Sequence, residues 1–297
     1  MKKSDVRILK SMTVLFFILV SNFLYAQSSA GKTYAEKVKI DGVDRSYFIH
    51  IPANLPANAP LVFVLHGYGG KAGPNAYGMN EVADKNGFAV CSPQAEKDGR
   101  GKPSWNLNYP FQKDWKLDDV SFLVKLSKHL QKKYNLSTKN VFCAGMSTGG
   151  DMCYLLAYRS PASFTAICSV SGLTMEWIYK EMEAPEPVPF LEIHGTKDRT
   201  SYWDGDMADK GGWGPYISVP LAVNYWIAKD RCTDEVVDTL AVKDPANGHF
   251  VVRHKFINGI QGNEVWLYEI VNGEHSWGDK DLNTGEEIWK FFSKYLK

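Results

Sequence analysis

Apolar residues along the chain fall into short, nearly unbroken runs separated by longer stretches with helical spacing. Such runs lie at Leu61 to Leu65, Phe88 to Cys91, Asn140 to Ala144, Ala166 to Val170, Pro189 to Ile193 and Val265 to Ile270. Runs of this length without polar alternation predict strands covered on both faces. Between them, Asp118 precedes apolar positions Val120, Leu123, Val124, Leu126 and Leu130, which predicts a helix capped by the Asp118 carboxylate. Further helices are expected over residues 77–86, 148–159, 218–229 and 285–296, and a hairpin over residues 37–40 and 45–51 around Asp41-Gly42. This alternation specifies an α/β fold, a mostly parallel sheet with helices on both faces. In such sheets the reactive loops lie beyond the carboxyl ends of the strands.

The first residues break the pattern. Lys2, Lys3, Arg7 and Lys10 precede an apolar run from Met12 to Val20 that continues to Ala26, with small residues after it. Basic start, short apolar centre and small residues predict an export signal over residues 1–26, cleaved after Ala26 or, second, after Ala30. The secreted or periplasmic chain is then a single domain of residues 27–297, with no membrane span in the mature chain. No long Pro, Ser or Gly linker and no repeat divides it. Lys and Arg number 34 against 33 Asp and Glu, a formal charge of +1, which disfavours nucleic acid as a partner. Cys91, Cys143 and Cys168 sit in apolar runs where a thiol acts as a small hydrophobe; with Cys153 and Cys232 they predict zero or one disulfide. No Cys/His spacing points to a metal.

Gly145-Met146-Ser147-Thr148-Gly149 stands between an expected strand and an expected helix. G-x-S-x-G in that context puts a serine hydroxyl on a sharp exposed turn, which makes Ser147 the candidate nucleophile. A serine needs a base to take its proton and a carboxylate to hold the base's tautomer. Of seven histidines, His275 lies in a loop directly after the last strand-like run, whereas His66 and His194 each precede a glycine at a strand end and read as loop-shaping hydrogen-bonders. Asp198, just past the run ending at Ile193, completes the chain order Ser, Asp, His; Asp204, Asp206 and Asp230 are the competing carboxylates. The glycine-rich turn His66-Gly67-Tyr68-Gly69-Gly70 offers amides for a developing oxyanion, and the amides of Tyr68 and Thr148 are the expected pair. The aromatic stretch from Tyr202 to Tyr216 makes Trp203 and Trp213 candidate substrate-binding residues. Trp277, two residues past His275, is the better candidate for a pocket wall.

The set His66 to Gly70, Gly87 to Gln94, Ser104-Trp105-Asn106, Asp118-Asp119-Val120, Gly145 to Met152, Val170-Ser171-Gly172, His194 to Asp198 and Gly273 to Trp277 resembles one esterase family. It includes polyhydroxybutyrate depolymerases, feruloyl esterases and acetylxylan esterases. The resemblance runs from about Val38 to the C-terminus. It implies an α/β-hydrolase fold, cofactor-free ester hydrolysis outside the cell, often on plant cell-wall esters, and the roles of Ser147, Asp198, His275 and the His66 to Gly70 loop given above. Ser104 departs from it, since many relatives have Cys before the Trp-Asn pair; the family's common disulfide, involving a position like Cys232, is therefore not carried over. The expected substrate is a feruloyl ester first, an acetyl ester second and a hydroxybutyrate ester third, because the aromatic stretch suits a flat ring. A serine peptidase of the same fold and a non-catalytic carbohydrate-binding relative are the other readings.

Overall fold

The computed structural model describes residues 31–297; the expected export signal and its cleavage site lie outside them. Strands β1 (Lys32–Ile40) and β2 (Val43–Ile51) form the expected hairpin, longer at the start than the sequence pattern suggested. Its turn residues Asp41 and Gly42 have φ of 52° and 81°, the left-handed geometry that matches hairpin twist and that an Asp-Gly pair adopts readily.

The apolar runs become β3 (Leu61–Leu65), β4 (Ala89–Pro93), β5 (Val141–Met146), β6 (Ala166–Val170), β7 (Phe190–Gly195) and, after two further strands, β10 (Val265–Val271). These six lie side by side in the order β4-β3-β5-β6-β7-β10 and all pair in parallel. The margins differ from the expectation. The β1–β2 hairpin joins β4 antiparallel, and β9 (Phe250–Ile257) and β8 (Asp234–Leu240) extend the other edge antiparallel, giving one mixed sheet of ten strands.

Helices cover both faces. In β3, Leu61, Phe63 and Leu65 enter one core layer while Val62 and Val64 enter the other. The first layer receives α2 (Asp119–Tyr134), α3 (Thr148–Arg159), the short α4 (Glu176–Glu181) and α5 (Val219–Asp230); the second receives α1 (Met79–Asn86) and α6 (Thr284–Phe292). Burying each such side chain contributes about 1.5–3 kcal/mol, so a one-residue slip of β3, which would exchange its two faces, is strongly disfavoured. Asp118 caps α2 as its position predicts, its side chain accepting from the Ser121 amide. The helix expected from residue 77 starts at Met79 instead, because Tyr77 and Gly78 both have positive φ. Among the described residues no helix is long and apolar enough to cross a membrane.

Candidate active site

Ser147 occupies the turn from β5 into α3 with φ 56° and ψ −124°. For a residue with a Cβ that region costs on the order of 1–3 kcal/mol. Two backbone hydrogen bonds hold it there. The Ser147 amide donates to the Val170 carbonyl at the end of β6 (2.8 Å), and the Asp151 amide donates to the Ser147 carbonyl (2.9 Å). The flanking glycines are required by close approach. A Cβ on Gly149 would stand 2.4 Å from the Leu65 carbonyl oxygen, and one on Gly145 would stand 2.2 Å from the Gly149 carbonyl oxygen. The turn is wedged against the end of β3, where Gly67 lies so near that a Cβ there would be 3.2 Å from Ser147 Cβ.

Asp198 follows β7 and is 4% exposed. Its Oδ1 accepts from the amides of Thr200 and Ser201, both at 2.8 Å, and its Oδ2 lies 2.7 Å from His275 Nδ1. An ionised carboxylate only accepts, so this contact places the imidazole proton on Nδ1 and leaves Nε2 as a free base. The loop carrying His275 is tied down on both sides. The amides of Thr196 and Lys197 donate to the carbonyls of Ile270 and Gly273 (3.0 and 2.9 Å), and Ser171 Oγ donates to the Ser276 carbonyl (3.0 Å). The structure thus joins Asp198 to His275, and ties the loops bearing His275 and Ser147 to the same end of β6. No hydrogen bond runs from Ser147 Oγ to His275; catalytic contacts of this kind commonly tighten only with substrate. The competing carboxylates have other surroundings: Asp204 is exposed, Asp206 accepts from the Gly211 amide, and Asp230 accepts from Asn263, with burial pushing its carboxyl up to about 7.

The loop from His66 to Gly70 is built around a buried imidazole. His66 Nε2 faces the Ala95 amide at 3.1 Å, a group that only donates, and His66 Nδ1 faces the Gly67 carbonyl at 2.7 Å, a group that only accepts. The ring is therefore neutral with its proton on Nδ1, and burial holds it below the usual imidazole range. The Gly67 carbonyl belongs to the same peptide unit as the Tyr68 amide, so the ring fixes where that amide points. The Thr148 amide is the first of α3, where no acceptor exists within the helix. Tyr68 and Thr148 thus directly follow, in sequence, two residues in close approach, Gly67 and Ser147.

Behind Asp198, His194 is the loop hydrogen-bonder its position predicts, paired with a buried Glu192 that the sequence did not single out. His194 Nε2 donates to the Ser201 carbonyl (2.8 Å) and stands 3.6 Å from Asp198 Oδ2, while His194 Nδ1 meets Glu192 Oε1 at 2.8 Å. Burial disfavours the imidazolium, but the Glu192 hydrogen bond and charge outweigh it and raise His194. A second buried acid, Asp151 in the first turn of α3, accepts from Tyr109 (2.5 Å) and from the Leu173 amide (2.6 Å), and burial pushes it up to about 7.

Residues 45–185 match the model of the family described as Esterase PHB depolymerase. Over those residues, just under half of the chain, it is similar to these esterases. It is 28% identical over 171 residues to the bifunctional acetylxylan esterase/xylanase XynS20E of Neocallimastix patriciarum, a match covering 56% of this chain and 23% of that protein. It is 30% identical over 191 residues to a probable feruloyl esterase C of Aspergillus flavus, covering 60% and 66%. The chain thus spans less than two thirds of either relative. Among solved structures, an acetyl xylan esterase from Aspergillus awamori superposes with a TM-score of 0.60 at 16% identity, over 88% of this chain and 99% of that one. The shared fold is that of the α/β-hydrolases.

In this chain the three candidate tryptophans have different surroundings. Trp213 is half-buried, with its ring 5.2 Å from Tyr68, 5.6 Å from Tyr109 and 5.9 Å from Phe111. Trp203 is half-buried and packs its edge on His194, behind Asp198. Trp277 departs from the expected pocket wall. It is 5% exposed and stacked on Tyr77 at 4.3 Å in the core layer of α1 and α6, so the ring is buried by packing. Tyr109 and Phe111, which the sequence did not single out, join this aromatic cluster; their signal was the aromatic spacing of Trp105, Tyr109 and Phe111 after the glycine-rich loop. All five cysteines are free, with Cys143 and Cys153 sulfurs 3.7 Å apart. Among the described residues no group of three or more His, Cys, Asp or Glu side chains is arranged to hold a metal ion.

Proposed function

We propose that this chain is a serine carboxylic ester hydrolase in which Ser147, His275 and Asp198 form the catalytic triad. The observation that carries the reading is the 2.7 Å contact between His275 Nδ1 and an Asp198 carboxylate whose other oxygen is already saturated by two amides. In this mechanism Ser147 Oγ attacks the ester carbonyl while His275 Nε2 takes its proton. The amides of Tyr68 and Thr148 donate to the oxyanion. The imidazolium, held by Asp198, then protonates the departing alkoxide and leaves an acyl-Ser147 ester. Water, deprotonated by the same Nε2, repeats the sequence and returns the serine. His275 keeps about a fifth of its side chain exposed (21%), which gives water a route to it.

The acyl group is proposed to be feruloyl first, acetyl second and hydroxybutyryl third, on carbohydrate-linked esters. Supporting this order, Trp213, Phe111 and Tyr68 gather beside the glycine-rich loop as flat apolar surfaces, which a hydroxycinnamoyl ring uses and an acetyl group does not. Relatives named for acetylxylan and feruloyl ester hydrolysis support the class of carbohydrate-linked esters. Export through residues 1–26 belongs to the same proposal; N-terminal sequencing of the protein from its native host is expected to start near Gln27, and a start at Met1 would end that part. The decisive assay sets acetyl, feruloyl and hydroxybutyryl esters against wild type and Ser147→Ala. The variant is expected to lose on the order of a thousandfold or more in kcat with an unchanged melting curve. Near-normal turnover by the variant would overturn the triad.

A further inference from the structure

The segment Val170-Ser171-Gly172-Leu173 bonds to Ser147 and to the strand or loop that carries each of the other two members of the proposed triad, although none of its residues belongs to it. The Val170 carbonyl accepts from the Ser147 amide (2.8 Å). Gly172 packs on the first turn of the helix that Ser147 leads, where a Cβ on Gly172 would be 2.7 Å from the Gly150 carbonyl carbon. The Leu173 amide donates to Asp151 in that same turn (2.6 Å). The Ser171 amide donates to the Ile193 carbonyl (2.8 Å), on the strand that leads to Asp198. Finally, Ser171 Oγ donates to the Ser276 carbonyl (3.0 Å), one residue past His275 and 105 positions away in sequence.

Ser171 makes this last contact from a costly conformation. Its φ is 51°, in the region where glycine is at ease and a residue with a Cβ is not, and it is 1% exposed. A glycine would satisfy the turn with less strain but would carry no hydroxyl. We infer that Ser171 is a positioning residue whose hydroxyl clamps the His275 loop in register with Ser147. The inference rests on the triad reading above. Its physical logic is that Nε2 must meet both the serine proton and the leaving group, and a misplacement of about 1 Å costs on the order of a hundredfold in rate.

The test compares wild type, Ser171→Gly and Ser171→Ala. Three quantities are read: kcat and KM on a small acetyl ester, the thermal midpoint, and the downfield proton resonance of the His275 Nδ1–H···Asp198 hydrogen bond. Both variants are expected to lose about tenfold or more in kcat with KM nearly unchanged, since the clamp affects the reacting geometry and not ester binding. The resonance is expected to broaden or vanish, and the Ser171→Gly midpoint is expected to stay near wild type because relief of strain offsets the lost bond. Wild-type kcat together with an unchanged resonance in both variants overturns the clamp. So does a kcat loss in Ser171→Gly that appears only together with a large fall in midpoint, since that is general unfolding. Ser147→Ala in the same assay separates the two ideas: if it stays active the triad reading fails, while the resonance still decides whether Ser171 holds the loop.

Discussion

Asp198 has no idle oxygen: one holds the Thr200 and Ser201 amides and the other faces His275. Asp198→Asn would keep the acceptor for the amides but turn an N–H toward His275 Nδ1, which forces the imidazole into the wrong tautomer. Turnover is expected to fall by about a thousandfold to ten-thousandfold with the fold intact, while Asp204→Asn stays near wild type. Steady-state kinetics on both variants check this, and the reverse ranking would mean the wrong acid was chosen. Asp151 supplies a second residue-scale prediction, on stability and pH. Its folded pKa of about 7 lies above the usual carboxyl value, because burial disfavours the charge. An acid shifted this way stabilises the fold fully below its unfolded pKa and loses that contribution as pH rises through the folded value. Asp151→Asn mimics the protonated form, so its midpoint relative to wild type should climb between about pH 4 and pH 7. A difference that stays flat across that window in thermal melts would refute it. The contact of His275 with Asp198 was legible in the sequence because both residues, like the candidate Ser147, follow strand ends. Asp151 and Ser171 were not, since their partners Tyr109 and Ser276 are 42 and 105 positions distant.

At the scale of elements, the turn from β5 into α3 shows why one side-chain atom matters. Alanine is the better helix former by about 1 kcal/mol, yet Gly149→Ala would put a methyl 2.4 Å from a backbone carbonyl of β3 that has no flexible side chain to yield. Overpacking of this kind costs about 1–3 kcal/mol, so the variant is expected to unfold at lower denaturant and to lose activity as the Ser147 turn is pushed off β3. Unchanged stability by chemical denaturation would show that the β3 end can move. The same contrast between covered and uncovered backbone explains which elements the sequence revealed. β3, β5, β6 and β7 are buried at nearly every position, so their apolar runs were plain, and α3 and β6 have the bounds their runs predicted. β8 is exposed along most of its length, with Val236 and Val237 both facing water, and β9 buries only Val251 and Arg253. With so few positions buried, these two strands carry no periodicity to read. Their pairing is held by ladder bonds and contacts such as Arg253 to Asp238 (2.6 and 2.7 Å).

At the scale of the whole molecule, the sheet brings together loops that are remote in sequence. Tyr68 comes from the end of β3, Tyr109 and Phe111 from the crossover before α2, and Trp213 from the long loop after β7. Their rings meet beside the glycine-rich loop, and Tyr68 is also held by a hydrogen bond from its hydroxyl to the buried Asp98 (3.0 Å). Composition showed that aromatic residues were plentiful but not which of them would converge, and spacing alone favoured Trp277. The fold gives the two tryptophans opposite surroundings, Trp213 half-buried and Trp277 packed in the core. Trp213→Ala removes part of an accessible wall, so it is expected to raise KM for a feruloyl ester by about tenfold while leaving an acetyl ester almost unaffected, consistent with loss of roughly 1–2 kcal/mol of ring contact. Trp277→Ala instead empties a packed site against Tyr77 in the layer of α1 and α6. It is expected to cost about 3–5 kcal/mol of stability and to affect both esters alike. Kinetics on the two esters and denaturant unfolding of the two variants decide the assignment. A feruloyl-selective loss in Trp277→Ala with stability preserved would return the wall to Trp277 and remove the ground for placing the hydroxycinnamoyl ring against Trp213.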